Sequence, residues 1–406
     1  MFSLLDLLII LSGWLSGLFL LWRLPVLTEH EYTSGTYLAS ADFADSDHAA
    51  HDKSADITII IPARNEERNI GELLRTIRAQ QCSAAEVLVV DDSSTDRTAA
   101  LAAAAGARVI RADALPPGWQ GKAWACHTGA EQARSRLLLF LDADTRLAPD
   151  ALAKLASAYR RHGGMLAVQP YHTVIRPYEQ LSAVFNLVVA ASMGAATMLG
   201  PKMRPSGAFG PCAVCSRDDY VRLGGHGAVR GEVLETFALG RRFQAAGLGL
   251  RLFGGQGTVS FRMYPDGLAA LAEGWSKNFA GGAVSLRRGL LAAIVLWIAG
   301  LAALSVQAVT AGIQFLYTQT LDMQWSFGLV YLLFAITLFK QMRSVGNFNV
   351  ITAILFPIPV TGFILLFANS VFLTFFRRRV RWKGRTLNTN GKVAETYPGN
   401  ETTRHE

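Results

Sequence analysis

The chain is short of cysteine and short of charge. Four cysteines in 406 residues cannot frame a disulfide scaffold, and they suit a reducing compartment. Two of them form a lone Cys212-Ala-Val-Cys215 with no second CxxC and no spaced histidine pair, which reads as ordinary half-buried thiols rather than a zinc site. Charged residues make up only 17%, against 51% hydrophobic. A disordered chain or a nucleic-acid-binding tail shows the reverse balance, so both are excluded. The formal charge of +8 does not bring nucleic acid back as a partner. Six basic residues fall within Arg377–Arg385, directly after an apolar run, and that placement suits an anionic membrane surface. The length allows about two domains of ~150–200 residues.

The apolar residues concentrate at the two ends. Phe2–Trp22 carries Asp6 as its only charge and at ~1.5 Å per residue can cross a bilayer. No basic stretch precedes it, so residues 1–24 read as a retained anchor rather than a signal peptide. Arg23 follows directly, which puts the next domain on the cytoplasmic side of the cell membrane. Residues 25–56 read as a linker, since Thr28–Asp56 holds seven acidic residues and three histidines without helical or strand period. Within 286–376, Leu290–Tyr317, Trp325–Phe339 and Val350–Phe376 are candidate spans of a multi-pass region. Pro357 and Pro359 are placed to break the last of them. Residues 377–406 form a basic tail.

Residues 57–285 alternate between strand and helix signals. Ile57–Ile61 is a short β-branched run, Glu86–Val90 and Leu137–Leu141 are apolar runs, and Arg108–Ile110 is a further candidate strand. Asn69–Gln80 has apolar residues at helical spacing, and Thr98–Ala105 is alanine-rich. Such alternation predicts an α/β domain with a mostly parallel central sheet, whose ligands sit beyond the carboxyl ends of the strands. Those ends carry Pro62-Ala-Arg64-Asn65-Glu66, Asp91-Asp92-Ser93-Ser94-Thr95-Asp96 and Asp142-Ala-Asp144. Acidic clusters converging on one sheet edge repel one another unless a divalent cation and donor hydroxyls relieve them.

In order and spacing these clusters resemble those of the family-2 glycosyltransferases of the GT-A fold over roughly residues 57–285. The resemblance implies that Asp91 and Asp92 hold the uracil and ribose of a UDP-sugar, with Pro62, Arg64, Glu66 and Ser94 close to the nucleotide. It implies that Asp144, with Asp142 beside it, holds Mg²⁺ or Mn²⁺ on the diphosphate. Lys122, in Gly118-Trp-Gln-Gly-Lys122, is a point charge for a phosphate or the donor sugar. Phe261-Arg-Met-Tyr264 and Glu273-Gly-Trp-Ser-Lys-Asn278 close the domain where many relatives carry Gln-x-x-Arg-Trp. This chain lacks that element, and Trp275 and Lys277 are its candidate substitutes, or else part of an interfacial Trp/Lys belt. Together the segments are similar to those of membrane-bound glycosyltransferases of carotenoid biosynthesis, which implies a lipid acceptor.

Many members of the family place a Glu-Asp pair at the acceptor, with the aspartate as general base. Here Gly231-Glu-Val-Leu-Glu235-Thr236 puts threonine in the aspartate position. Glu235 is the candidate base, Glu232 the second, and Lys122 completes the catalytic set. An acceptor carboxylic acid is already ionised near neutral pH and needs a base less, so Thr236 favours a glycosyl ester product. Leu181–Leu199, free of charge, is expected as a helix lying in the membrane interface. Leu199 is followed closely by the Ser206–Gly210 turn and by His226, both acceptor-side candidates. The expected activity is inverting transfer of a hexose, glucose from UDP-glucose, to a carotenoid acid or alcohol. Polyprenyl-phosphate, hopanoid or ceramide transferases, a processive synthase, and a lipid-binding scaffold or transporter remain as alternatives.

Overall fold

The computed structural model describes residues 4–28, 54–284, 286–318, 325–372, 379–382 and 385–388. Most of the acidic linker and most of the basic tail therefore lie outside the described residues. The strands are β1 (Ser54–Ala63), β2 (Ser83–Asp91), β3 (Arg108–Arg111), β4 (Leu137–Leu141), β5 (Thr145–Leu147), β6 (Met165–Gln169), β7 (Tyr171–His172), β8 (Cys212–Ser216), β9 (Leu250–Gly254) and β10 (Val259–Phe261). The helices of the same region are α2 (Ile70–Arg78), α3 (Thr98–Ala104), α4 (Gly121–Gln132), α5 (Ala151–His162), α6 (Ala183–Met193), α7 (Arg217–Arg222), α8 (Glu235–Ala245) and α9 (Leu268–Val284), after an N-terminal α1 (Leu4–Leu20). Four more follow: α10 (Arg288–Thr318), α11 (Trp325–Val345), α12 (Val350–Ile354) and α13 (Pro357–Phe372).

Seven strands form one sheet in the order β3-β2-β1-β4-β8-β6-β9. Neighbours β3/β2, β2/β1, β1/β4 and β6/β9 run parallel, and β8 alone opposes its neighbours β4 and β6. Both faces are covered, which is why Ile57, Ile59, Ile60 and Ile61 of β1 are all fully buried. Ile57, Ile59 and Ile61 pack with Leu73, Leu74 and Leu155 of α2 and α5 on one face. Ile60 joins Ala125 and Cys126 of α4 on the other. Gly129 lets α4 lie close, because a Cβ there would stand 2.5 Å from Ile60.

Cys212 shares a face with Val214, and Cys215 shares the opposite face with Ala213. The two thiols point to different cores, so the CxxC neither bridges nor chelates. Burial pushes both up, Cys212 to about 12, which keeps them protonated and inert.

The apolar ends assemble together. In α1, Gly13 meets Gly300 of α10 backbone to backbone, and Gly17 meets the Trp297 ring, so that a Cβ at either glycine would approach within 2.8 Å. Small residues of this kind let apolar helices pack closely. Helices α10 and α11 are each long and apolar enough to cross a bilayer, over Arg288–Tyr317 and Phe327–Val345. Val295, Val306, Leu329 and Leu365 point outward and are more than half exposed, an apolar exterior that suits association with a membrane. The third apolar segment is broken after Ile354, and Pro357 opens α13, where the missing N–H costs nothing.

Helix α6 departs from expectation. It does not lie at an interface: Ala183–Val188, Ala190 and Ala191 are buried, packed in one core with Trp297, Phe356 and Phe363 of the apolar helices. Its lack of charge reflects burial on all sides. Two polar seams tie the apolar helices to the segment between β7 and α6. The Asn347 side chain accepts from the Val174 N–H at 2.6 Å and donates to the Val174 carbonyl at 3.1 Å. The Thr352 hydroxyl donates to Gln180 at 2.6 Å. Replacing Asn347 with leucine leaves both Val174 groups without those partners, and a loss of about 2 kcal/mol is expected in chemical unfolding of the detergent-solubilised protein. The N-terminal segment also reaches the sheet. Val26 bridges to Gly254 at the free edge of β9, and the Gly254 N–H donates to the Pro25 carbonyl at 2.7 Å.

Candidate active site

Residues Ala63 and Asp91 are partners at the carboxyl ends of β1 and β2, and the loops that leave them interlock. Asn65 and Ser93 both sit at positive φ, 54° and 57°, a conformation that needs surrounding bonds to hold it. The Asn65 N–H donates to Ser94 Oγ at 3.0 Å, the Thr95 N–H to Asn65 Oδ1 at 2.8 Å, and the Ser94 N–H to Asp91 Oδ1 at 3.1 Å. Asp91 and Ser94 therefore hold the turn rather than lining the cavity beside it. Asp92 lines that cavity, with its carboxylate 3.5 Å from Arg64. Pro62 and Glu66 line it too, and Asn69 donates to Glu66 at 2.9 Å.

From β4 come Asp142 and Asp144, both half-buried in the cavity wall. Across from them Lys122 stands in the first turn of α4. A cation at a helix N-terminus is disfavoured by the helix dipole, so other charges must hold it. They do: Lys122 Nζ is 2.6 Å from Asp142 and 3.3 Å from Glu235, at the start of α8. Burial alone would lower the lysine, but the two carboxylates outweigh it and raise it above its usual range. Burial raises Asp142. Burial also opposes ionisation of Glu235, yet Lys122 overcomes it and holds this carboxyl below the usual glutamate range. The Thr236 hydroxyl donates to the same carboxylate at 3.2 Å.

Glu232 is separated from this group. It is exposed and outside the cavity wall, because the chain between it and Glu235 turns into the helix. Trp275 is buried against Phe185, ring centroids 4.7 Å apart, with its indole N–H given to Ser182 at 3.1 Å. It walls the cavity as a packed buttress rather than as a free polar contact. Lys277 lies in α9, and its side chain is outside the described residues. His226 is buried, held by the Tyr220 hydroxyl at 2.9 Å and pushed down to about 4 by burial. It stands neutral behind the wall, outside the cavity lining.

Two wall residues carry no signal that sequence reasoning turned into a role. Arg262 is fixed by the fully buried Glu179, at 2.6 Å, itself bonded to the Ile175 N–H at 2.7 Å. Tyr264 takes a φ of 54°, and its ring lies so flat on Gly274 that a Cβ there would be 2.0 Å away. Both follow β10, which a small sheet in the order β5-β10-β7 delivers to the mouth. The available signal was their place in Phe261-Arg-Met-Tyr264, the segment expected to close the domain.

The cavity has a volume of about 1210 Å³. One end is the carboxylate and lysine group. The other is apolar, walled by Ile294, Ile298 and Ala302 of α10 and by Phe363 and Phe367 of α13. Among the described residues no group of three or more His, Cys, Asp or Glu is gathered tightly enough to hold a metal by protein atoms alone.

A parallel sheet with one opposed strand, acidic strand ends and a DxD at the fourth define the class. The profile of Glycosyl transferase family 2 matches residues 58–218. The chain is 36% identical over 335 residues to the 4,4'-diaponeurosporenoate glycosyltransferase of Staphylococcus haemolyticus (strain JCSC1435), covering 81% of this chain and 88% of that protein. It is 37% identical over 336 residues to the protein of that name from Staphylococcus aureus (strain MRSA252), covering 81% and 87%. The chain belongs to glycosyltransferase family 2, with the GT-A fold, and is a glycosyltransferase. Among solved structures it is similar to a mannosyltransferase from Pyrobaculum calidifontis in complex with GDP-Man and Mn²⁺, with a TM-score of 0.49, 18% identity, and coverage of 81% of this chain and 90% of that one.

Proposed function

We propose that the protein transfers a hexose, glucose from UDP-glucose, to a carotenoid acid or alcohol at the cell membrane, with inversion at the anomeric carbon and with its catalytic domain facing the cytoplasm. The observation that carries this reading is the continuity of the cavity: acidic strand ends and Lys122 at one end, membrane-type apolar helices at the other. An enzyme acting on two soluble substrates has no use for the second half. The name of the Staphylococcus relatives supplies the acceptor.

Arg64 and Asp92 are assigned to the nucleoside end of the donor. Asp144, with Asp142 beside it, suits Mg²⁺ or Mn²⁺: hard carboxylate oxygens, too few to form a cage, match an ion that takes its remaining ligands from a diphosphate. Such an ion, when bound, stabilises the charge that gathers on the leaving diphosphate. Lys122 adds a fixed positive charge at the same end. Glu235, held ionised by Lys122, is a weak base by the same contact, and its low proton affinity fits an acceptor that arrives already deprotonated. Arg262, anchored by Glu179, faces the same space and offsets the negative charge of that acceptor.

The test is glycosyl transfer by purified, lipid-reconstituted protein offered a panel of labelled nucleotide sugars and carotenoid acids and alcohols, with products identified by mass. Glu235→Gln separates the acceptor classes. Turnover of an alcohol acceptor should fall by about 10²–10⁴-fold, the usual worth of a general base, while a carboxylic acid acceptor should lose far less. Equal, unimpaired turnover of both would discard Glu235 as the base.

A further inference from the structure

We infer that the acceptor enters sideways from the bilayer between α10 and α13, and that Ala299 and Ala302 gauge the bulk of its far end. The inference rests on the proposed lipid-acceptor reading and adds the specificity-determining residues. The wall that α10 gives the cavity is a single stripe: Leu291, Ile294, Val295, Ile298, Ala299 and Ala302. Those positions recur every three to four residues, so they share one helix face.

Some of these wall residues also face outward. Val295 is 57% exposed and Leu291 36%, and Ile364 of α13 is 39% exposed. A residue that lines a cavity while standing open on the apolar surface marks a mouth. This mouth opens toward lipid, whereas Lys122 and Asp142 lie at the polar end. An amphiphile with an apolar body and one polar head can reach both ends at once.

The stripe also sets a length and a shape. From Leu291 to Ala302 the helix rises about 17 Å at ~1.5 Å per residue, which calls for an extended acceptor. The wall residues from Leu291 to Ile298 are large and aliphatic, and the last two are alanines. The cavity therefore widens on this side at its distal end, where a branched or cyclic terminus fits and a thin chain leaves space unfilled. A phenylalanine in place of either alanine fills that space.

The experiment compares Ala299→Phe and Ala302→Phe with wild-type protein in lipid nanodiscs, using a short-chain carboxylic acid and a long polyene acid with a branched terminus. The expected result is a drop of about tenfold or more in turnover of the long acid, the cost of overfilling a packed apolar site, with turnover of the short acid within about twofold. Ala302→Val should give an intermediate loss and guards against misfolding of the larger variants. Ile298→Ala, which widens the proximal part, should raise tolerance for a bulky short acid. An unchanged ratio of long-acid to short-acid turnover in Ala299→Phe and Ala302→Phe would overturn the inference. Failure of wild-type protein to glycosylate either acid would overturn the acceptor reading itself.

Discussion

Lys122→Met should lower glycosyl transfer by about 10²–10³-fold, the usual worth of one preorganised charge at a reacting centre. It should also cost stability. The lysine is the shared counter-ion of Asp142 and Glu235, at 2.6 and 3.3 Å, and Glu235 is only 9% exposed in its side chain. Removing one member of a buried charge group strands the others. Because the Lys122 side chain is itself 35% exposed, the loss should fall below the ~3–5 kcal/mol of a fully buried pair, at about 2–3 kcal/mol. The pH dependence carries a sign. Without its lysine, Glu235 loses the contact that holds its carboxyl down, so the acid limb of any remaining activity should move to higher pH. In the wild type the Glu235 contribution to stability is present above the ordinary glutamate range and disappears as pH falls through its depressed value. Initial rates and urea unfolding across pH 4–8 check both statements, and wild-type turnover in Lys122→Met would remove the lysine from the mechanism.

Asp144→Asn should be as damaging to turnover, by about 10³-fold, and nearly silent in stability. The substitution keeps the shape of a half-buried side chain in a cavity wall, so unfolding free energy should change by less than about 1 kcal/mol. Donor binding supplies the second readout. Wild-type protein should bind UDP-glucose more tightly as Mg²⁺ or Mn²⁺ is raised, and the variant should lose that dependence in calorimetry. Metal-dependent binding that survives Asp144→Asn would move the assignment to other oxygens of the wall, Asp142 and Glu66 first.

The sheet and its acidic strand ends are legible in the sequence because they are local. Ile57, Ile59, Ile60 and Ile61 are apolar because both faces of β1 are covered, and the Pro62, Asp91 and Asp142 segments sit at strand ends in sequence as they do in space. Groups brought together from distant positions were harder to read. Lys122, Asp142 and Glu235 come from three elements, and nothing local to any of them reveals that they meet. Asp91 and Asp92 look equivalent as a pair, yet successive residues of an extended chain point to opposite sides, and of the two Asp92 reaches the cavity. Helix α6 carries the composition of a membrane-surface helix and of a buried one alike. Only its neighbours, Trp297, Phe356 and Phe363, decide between them. Arg262 owes its position to Glu179, 83 residues away, a pairing without a sequence signature.

The bridge from Val26 to Gly254 bears on how the enzyme can be handled. Trimming the first helix to obtain a water-soluble fragment would do more than remove grease. It would strip the Gly13–Gly300 seam from α10, and a cut reaching past Val26 would also take away the backbone partner of Gly254 at the edge of β9, where an open amide invites pairing between molecules. Shortened versions should therefore precipitate, and a version that keeps Pro25–Leu27 while replacing only the helix before them is the better starting point.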